Sequence, residues 1–321
     1  MKEPTYRQTL MSAWQVVWEN KILWILGLLS IFLGQLGFSD IFGKIWSIFD
    51  ASLSQKGVPL IPLLKLDISG GVWSILGLVW LAIICLSVIT LLVFLAVSSQ
   101  GSLIMYVAEW FKTGKHQTLA KSWRVSLKHF WSVLLVNVIR QVLMFGLLFA
   151  FTFLASRFFV SPNLTQGFIF AVSSVVVLFV SLIFSALTIY TLCYVVLDGK
   201  GMRTSIKKAW LLFSDHFLVS LEVGALLMFL TFLLIIAVIA GSFFAFLPAA
   251  LIWIAGGITN LVVLAAVGLV LGIFLLLLFI ALAAGFFNAF TISAWVFLFM
   301  KMHKEGVSSR AIHFFKYMFS R

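Results

Sequence analysis

Along the chain, apolar residues gather into six long blocks, at about 22–38, 72–97, 130–155, 168–197, 217–247 and 257–300. A helix rises 1.5 Å per residue, so about 20 apolar residues cross a 30 Å hydrocarbon core. Each block therefore predicts one membrane-spanning helix. The first is the shortest; it holds Gly27, Gly34 and Gly37 and is bracketed by Lys21 and Asp40. The last is long enough for two short spans broken near Gly285 and Asn288, but no proline or turn cluster marks a break there. One long helix is predicted. The stretches 39–71, 156–167 and 248–256 carry the Pro, Gly and Ser punctuation of loops, among it Pro59, Pro62, Gly70, Gly71 and Pro162. In the first of them Ile41, Phe42, Ile45, Trp46 and Phe49 keep helical spacing, as in a short helix on the outer surface, and 248–256 is apolar enough to dip into the bilayer.

A second pattern sits on the polar side of the blocks. The phrases QTLMSAWQVVWENK around Trp14, QTLAKSWRVSLKHF around Trp123 and TSIKKAWLLFSDHF around Trp210 are copies of one another. Thr9, Thr118 and Ser205 stand five residues before the tryptophan, and Asn20, His129 and His216 stand six after it. Gly114 and Gly201 precede Trp123 and Trp210 by nine, and the tail repeats the spacing from Gly306 to Phe315. Two blocks follow each phrase, so the predicted unit is a surface helix plus a helical hairpin. The predicted class is an all-α integral membrane protein with six transmembrane helices in three parallel repeats, about 4–111, 112–200 and 201–300, in one domain over 1–321 with an amphipathic tail at 301–321. An even number of crossings per unit places all the surface segments on one face.

Charge assigns that face. Of the 22 Lys and Arg residues, about 17 fall on the side of the N-terminus, about 4 on the other and one, Arg140, in a span, which predicts a cell-membrane protein with both termini cytoplasmic. A first span without a small-residue cleavage site is expected to remain as an anchor. Hydrophobic residues are 63% and charged residues 10% of the 321, so the net charge of +12 is read as topology and lipid contact, with no nucleic-acid partner expected.

In each phrase the apolar positions keep helical spacing: Leu10, Trp14 and Val17; Leu119, Trp123, Leu127 and Phe130; Ile206, Trp210, Phe213 and Phe217. Arg7, Lys121, Arg124, Lys128, Arg203, Lys207 and Lys208 occupy the other faces. Tryptophan opposite Lys and Arg fits an interfacial helix with its ring at headgroup level and its cations on anionic lipid; the plainer alternative is that these residues only fix topology. The layout, with AW or SW phrases ahead of an aromatic residue entering the next span, resembles the bacterial membrane domains typified by the one fused to some glycerophosphoryl diester phosphodiesterases. That resemblance covers the whole chain and implies a membrane-embedded accessory domain. With no attached phosphodiesterase domain, it brings no activity with it.

The candidate polar site inside the spans is Asn137, Arg140, Gln141 and Glu222. Ionisable groups in a bilayer cost several kcal/mol unless paired or hydrated, and Asn137, Arg140 and Gln141 form a stripe on one helix face. An Arg140 to Glu222 pair would be either structural glue between repeats or part of a substrate path, so the alternative function is a small transporter or channel. His116, His129, His216, His303 and His313 lack ligand spacing, so no metal, cofactor or catalytic set is expected; His129, His216 and Asn20 read instead as caps on the following span. Cys85 and Cys193 read as small apolar residues. Ser98, Ser99, Gly101 and Ser102, and Ala283, Ala284 and Gly285, are expected at close helix contacts, or at hinges. The primary reading is a non-enzymatic scaffold or accessory protein that engages lipid or a protein partner at the inner leaflet.

Overall fold

With no water to pair backbone groups, a chain this apolar must satisfy its amides within helices, and the described residues are helical with no strand among them. A computed structural model describes residues 5–33, 72–114, 118–160 and 163–305. In chain order they form α1 (Thr5–Glu19), α2 (Ile22–Ile31), α3 (Val72–Thr113), α4 (Leu119–Lys128), α5 (Phe130–Val160), α6 (Leu164–Asp198), α7 (Met202–Asp215), α8 (Phe217–Ile258) and α9 (Val262–Glu305). Five of these, α3, α5, α6, α8 and α9, are long and apolar enough to cross a membrane. The chain is therefore a multi-pass, all-helical membrane protein.

The first predicted block is helical only as α2, which ends at Ile31 with Phe32 and Leu33 in a turn. The remainder of that block, the segment 39–71 with its surface helix, and the tail repeat from Gly306 lie outside the described residues. Two sequence readings are corrected. The stretch 248–256 is not a loop: α8 runs through Pro248 to Ile258, and the chain reverses only at Thr259 to Leu261. With helix on both sides and apolar neighbours throughout, one missing amide does not end it. Likewise, helix fills 156–160 and resumes at Leu164, leaving a short turn around Asn163. The last block is the single 44-residue helix expected.

The core lies at one end of the bundle. It is built from the C-terminal parts of three long helices: Ala96 to Ala108 of α3, Ala186 to Val196 of α6 and Ala289 to Met302 of α9, each largely buried. These three helices pack on one another. Each is flanked by one short helix, α1 on α9, α4 on α3 and α7 on α6. Three further helices fill the gaps, α2 between α9 and α3, α5 between α6 and α3, and α8 between α9 and α6. The short helices run alongside the long ones as a collar. Gln8 meets Lys301 while Trp14 stacks edge-on to Phe286 and Phe290, and Lys121 meets Glu109 while Ser126 meets Ser98.

Small residues make this approach possible, and they occupy a face that the apolar spacing did not single out. Thr9 and Ala13 of α1, Ser122 and Ser126 of α4, and Ser205 and Ala209 of α7 are all essentially fully buried. Trp14 and Trp210 of the same helices stay half exposed. The hydroxyls of Ser98, Ser99, Ser122 and Ser293 make no hydrogen bond, so these serines contribute size. In lipid, where chain tails are as apolar as leucine, helices associate through such close packing.

Closest of all is the seat of α2 on α9. A Cβ at Gly27 would fall 2.1 Å from the Gly285 carbonyl oxygen, a backbone atom that cannot turn aside. Gly27→Val is therefore expected to cost about 1–3 kcal/mol or more in unfolding from detergent micelles. Gly257→Ala, whose Cβ meets nothing within 4 Å, should instead raise stability by about 0.5–1 kcal/mol through helix propensity.

Candidate functional site

Two of the polar groups that the spans carry, Arg140 and Asn288, meet at the end of α2. A helix end leaves carbonyls without intrahelical donors, and α2 ends about 15 Å from its start beside the collar, half the thickness of a hydrocarbon core. Two side chains from other helices meet that end. Arg140, ten residues into α5 and thus at about the same depth, donates from Nη2 to the Leu33 carbonyl at 3.0 Å. Asn288 of α9 donates from Nδ2 to the Gly27 carbonyl and lies equally close, 2.7 Å, to Ser30 Oγ. Ser30 Oγ itself donates to the Gly27 carbonyl. One turn before Arg140, buried Asn137 donates to Gln100 Oε1 of α3 at 2.7 Å and to the Val133 carbonyl.

The predicted stripe is thus divided in its contacts. Asn137 and Arg140 meet α3 and the end of α2 respectively, and Gln141 is half-buried beside them. Glu222 is half-buried near the start of α8, a helix set against α9 and α6, whereas α5 is set against α6 and α3. The two ionisable members sit on helices with different main neighbours. Sequence reasoning passed over Gln100 and Asn288 as partners. Gln100 was masked by the small residues around it, and Asn288 was read as a possible break when it ties α9 to α2. An amide in the middle of an apolar helix was the available signal.

At the collar, the junction residues act differently from expectation. Asn20 and His216 do not cap the span that follows; each turns back to the helix before it. Asn20 Nδ2 donates to the Val16 carbonyl, and His216 Nδ1 lies 3.3 Å from the Leu212 carbonyl. The helix before the junction has carbonyls to satisfy there, and a side chain four residues on can reach them. Asn20 also accepts a hydrogen bond from Tyr106 of α3 at 2.7 Å. The equivalent link on α6 is Tyr190 with Ser220 of α8, at 2.9 Å. His129 ends α4, with Cε1 3.7 Å from where Gly199 would carry a Cβ. Gly199 and Gly114 are the glycines with left-handed backbone, φ 62° and 65°; Gly201 instead starts α7 with ordinary φ.

The predicted headgroup residues are mostly outward-facing. Lys121, Arg124, Lys128, Arg203 and Lys207 are exposed, Lys208 is half-buried, Trp14 and Trp210 are half exposed, and Trp123 is less so. Trp14 and Trp18 stack face to face, and both meet Phe286 edge-on. Lys121 pairs with Glu109 at 3.1 Å, and Lys200 pairs with Asp198 while lying over the Tyr194 ring. The hydrogen bond to Asp198 holds the Lys200 ammonium above its ordinary pKa, and Lys200 in turn lowers that of Lys208. Among the described residues, no three His, Cys, Asp or Glu side chains converge as a metal set. His303 stacks on Phe299 and meets Tyr194 edge-on. Cys85 is exposed and Cys193 buried, both as free thiols.

Comparison with known proteins returned no matching family model, no matching curated protein and no matching solved structure.

Replacing one member of a buried polar pair costs more than replacing both. Arg140→Met should lose about 1–3 kcal/mol by stranding the Leu33 carbonyl, with Arg140→Lys recovering part of it. In detergent unfolding, Gln100→Leu with Asn137→Leu should cost less than the sum of the two single changes.

Proposed function

We propose that this chain is a non-enzymatic accessory protein of the cell membrane, with both termini cytoplasmic, whose collar of three tryptophan-bearing basic helices gathers anionic lipid headgroups at the inner leaflet. The observation that carries this reading is the three-sided use of each short helix. Small residues carry much of the packing on the long helices, which leaves Trp14 and Trp210 half exposed and Arg124, Lys128, Arg203 and Lys207 exposed. Half-exposed rings beside exposed Lys and Arg suit the headgroup boundary, where each cation near an anionic surface contributes about 1 kcal/mol.

The six-span, threefold organisation belongs to this proposal. It is supported by the cyclic order of packing, in which α4 lies on α3 and α7 on α6, each on the long helix of the preceding unit, while α1 lies on α9, the long helix of the last. The resemblance to the membrane domains fused to glycerophosphoryl diester phosphodiesterases agrees with an accessory role.

A small transporter is the second reading. It is favoured by one feature, the helix end at Leu33 met by Arg140 and Asn288 at mid-span depth, since interrupted helices line many transport sites. Thiol labelling from each side at positions 137, 140 and 141, changed singly to cysteine, separates the two. Silence fits a packed scaffold, and labelling fits a hydrated path.

In nanodiscs of mixed phosphatidylcholine and phosphatidylglycerol, native mass spectrometry is expected to find phosphatidylglycerol enriched on the protein. Changing Lys121, Arg124, Lys128, Arg203, Lys207 and Lys208 together to Gln should reduce that enrichment severalfold, as should raised salt. Unchanged retention in the sixfold variant would overturn the lipid reading.

A further inference from the structure

Among the described residues, the α5–α6 and α8–α9 hairpins have unequal reach. α5 and α8 both begin seven residues after the tryptophan of their phrase, at Phe130 and Phe217, yet α5 has 31 residues and α8 has 42. The difference is three turns, or about 16 Å. Their turns also differ. The shorter hairpin has polar residues on either side of its reversal, Arg157 in the last turn of α5 and Asn163 and Gln166 at the start of α6, as suits an aqueous surface. The longer one reverses at Thr259, Asn260 and Leu261, and no charged residue occurs anywhere between Glu222 and Lys301.

The end of the longer hairpin is also clad in apolar side chains on its outward faces. Ile258, Val262 and Val263 are each about four-fifths exposed, and Leu251, Trp253, Ile254, Val267 and Val270 at least half. Past Leu227, the buried residues of α8 are Ala249 and Gly256, which face α9. From there on the hairpin has left the bundle. It remains zipped to its end: a Cβ on Gly256 would fall 2.4 Å from the Ala265 nitrogen, and one on Gly268 2.6 Å from the Trp253 nitrogen.

We infer that the α8–α9 hairpin lies steeply inclined in the bilayer, with its apolar end bedded in the acyl chains of the far leaflet and only Thr259 and Asn260 at headgroup level. Upright, a 42-residue rod spans about 63 Å against a hydrocarbon core of about 30 Å, and carries bare Val, Ile and Leu into water. With α5 upright, an inclination of about 42° brings both turns to one depth, at the limit of the roughly 0–40° that spanning helices show. The occupant of the exposed faces is lipid, because both helices are bare around their outward sides, whereas a protein partner would need only one face. The turn stays at the headgroups because the first amides of α9 have no intrahelical acceptor and must meet water or ester oxygen.

The test is spin-label accessibility in nanodiscs, with single cysteines at Val263, Trp253 and, as the aqueous reference, Asn163, in a Cys85→Ala, Cys193→Ala background. The expected result is high oxygen and low nickel-chelate collision at 253 and 263, with the reverse at 163. Nickel access at 263 equal to that at 163 would mean an upright hairpin reaching water and would overturn the inference. Low access to both reagents would mean cover by protein, such as a second copy, and would overturn it too. Should that background fail to fold, hydrogen exchange on the unaltered protein decides: helical amides around 249–256 and 265–272 should exchange more slowly in nanodiscs than in short-chain detergent, and equal rates would count against it.

Discussion

A polypeptide in hydrocarbon has no solvent for its amide groups, and that constraint accounts for most of what this protein does with its sequence. It drives the chain into helices far longer than soluble ones, carries α8 through a proline, and leaves the end of α2 as a place where partners come from other helices. Arg140 and Asn288 supply them from two other helices. Seen this way the intramembrane arginine is first a donor to stranded carbonyls, and its retention at such a depth needs no substrate to explain it. The same constraint removes the hydrophobic effect as glue between spans, and Thr, Ala and Ser accordingly share the best-buried positions of the collar helices with Val16 and Val17.

What the sequence made legible follows from the same physics. Block length and hydropathy are properties of each segment alone, so the long helices, including the undivided last one, could be read directly. The phrase around Trp14, Trp123 and Trp210 was legible as a pattern, though the small residues that let each helix approach the bundle were not read from it. Of the apolar positions read there, Val17 and Phe213 are buried, Trp14 and Trp210 stay half exposed, and the buried Ala13, Ser122 and Ala209, each immediately before the tryptophan, were not singled out. Pro248 misled for a related reason, since a helix breaker in water is tolerated where breaking the helix would strand several amides.

The candidate site was half legible. Asn137 and Arg140 stood out because polar residues in a span are costly, but their partners are invisible to local reading. Leu33 offers a backbone oxygen 107 residues from Arg140, and Gln100 lies 37 residues from Asn137. Charge drew attention to Glu222 as a partner for Arg140, while the carbonyl of Leu33, an acceptor for the guanidinium, carries no signal in the sequence. The junction residues teach the same lesson. Asn20 and His216 were expected to serve the helix ahead, and instead they satisfy carbonyls of the helix behind.

The way α2 is held also bears on how the protein is made. Its closest neighbour is α9, reached through Gly27 on Gly285 and through Asn288, 261 positions later in the chain. A ribosome adding about 5–20 residues per second needs roughly 15–50 s to make the second half of that contact. Throughout that interval the face of α2 that holds Gly27 and Ser30 waits without the helix that covers it. The ring closes only when the last helix arrives, so early segments must be sheltered by the insertion machinery, and a chain cut short before α9 would present an open, adhesive edge to the quality-control proteases of the membrane.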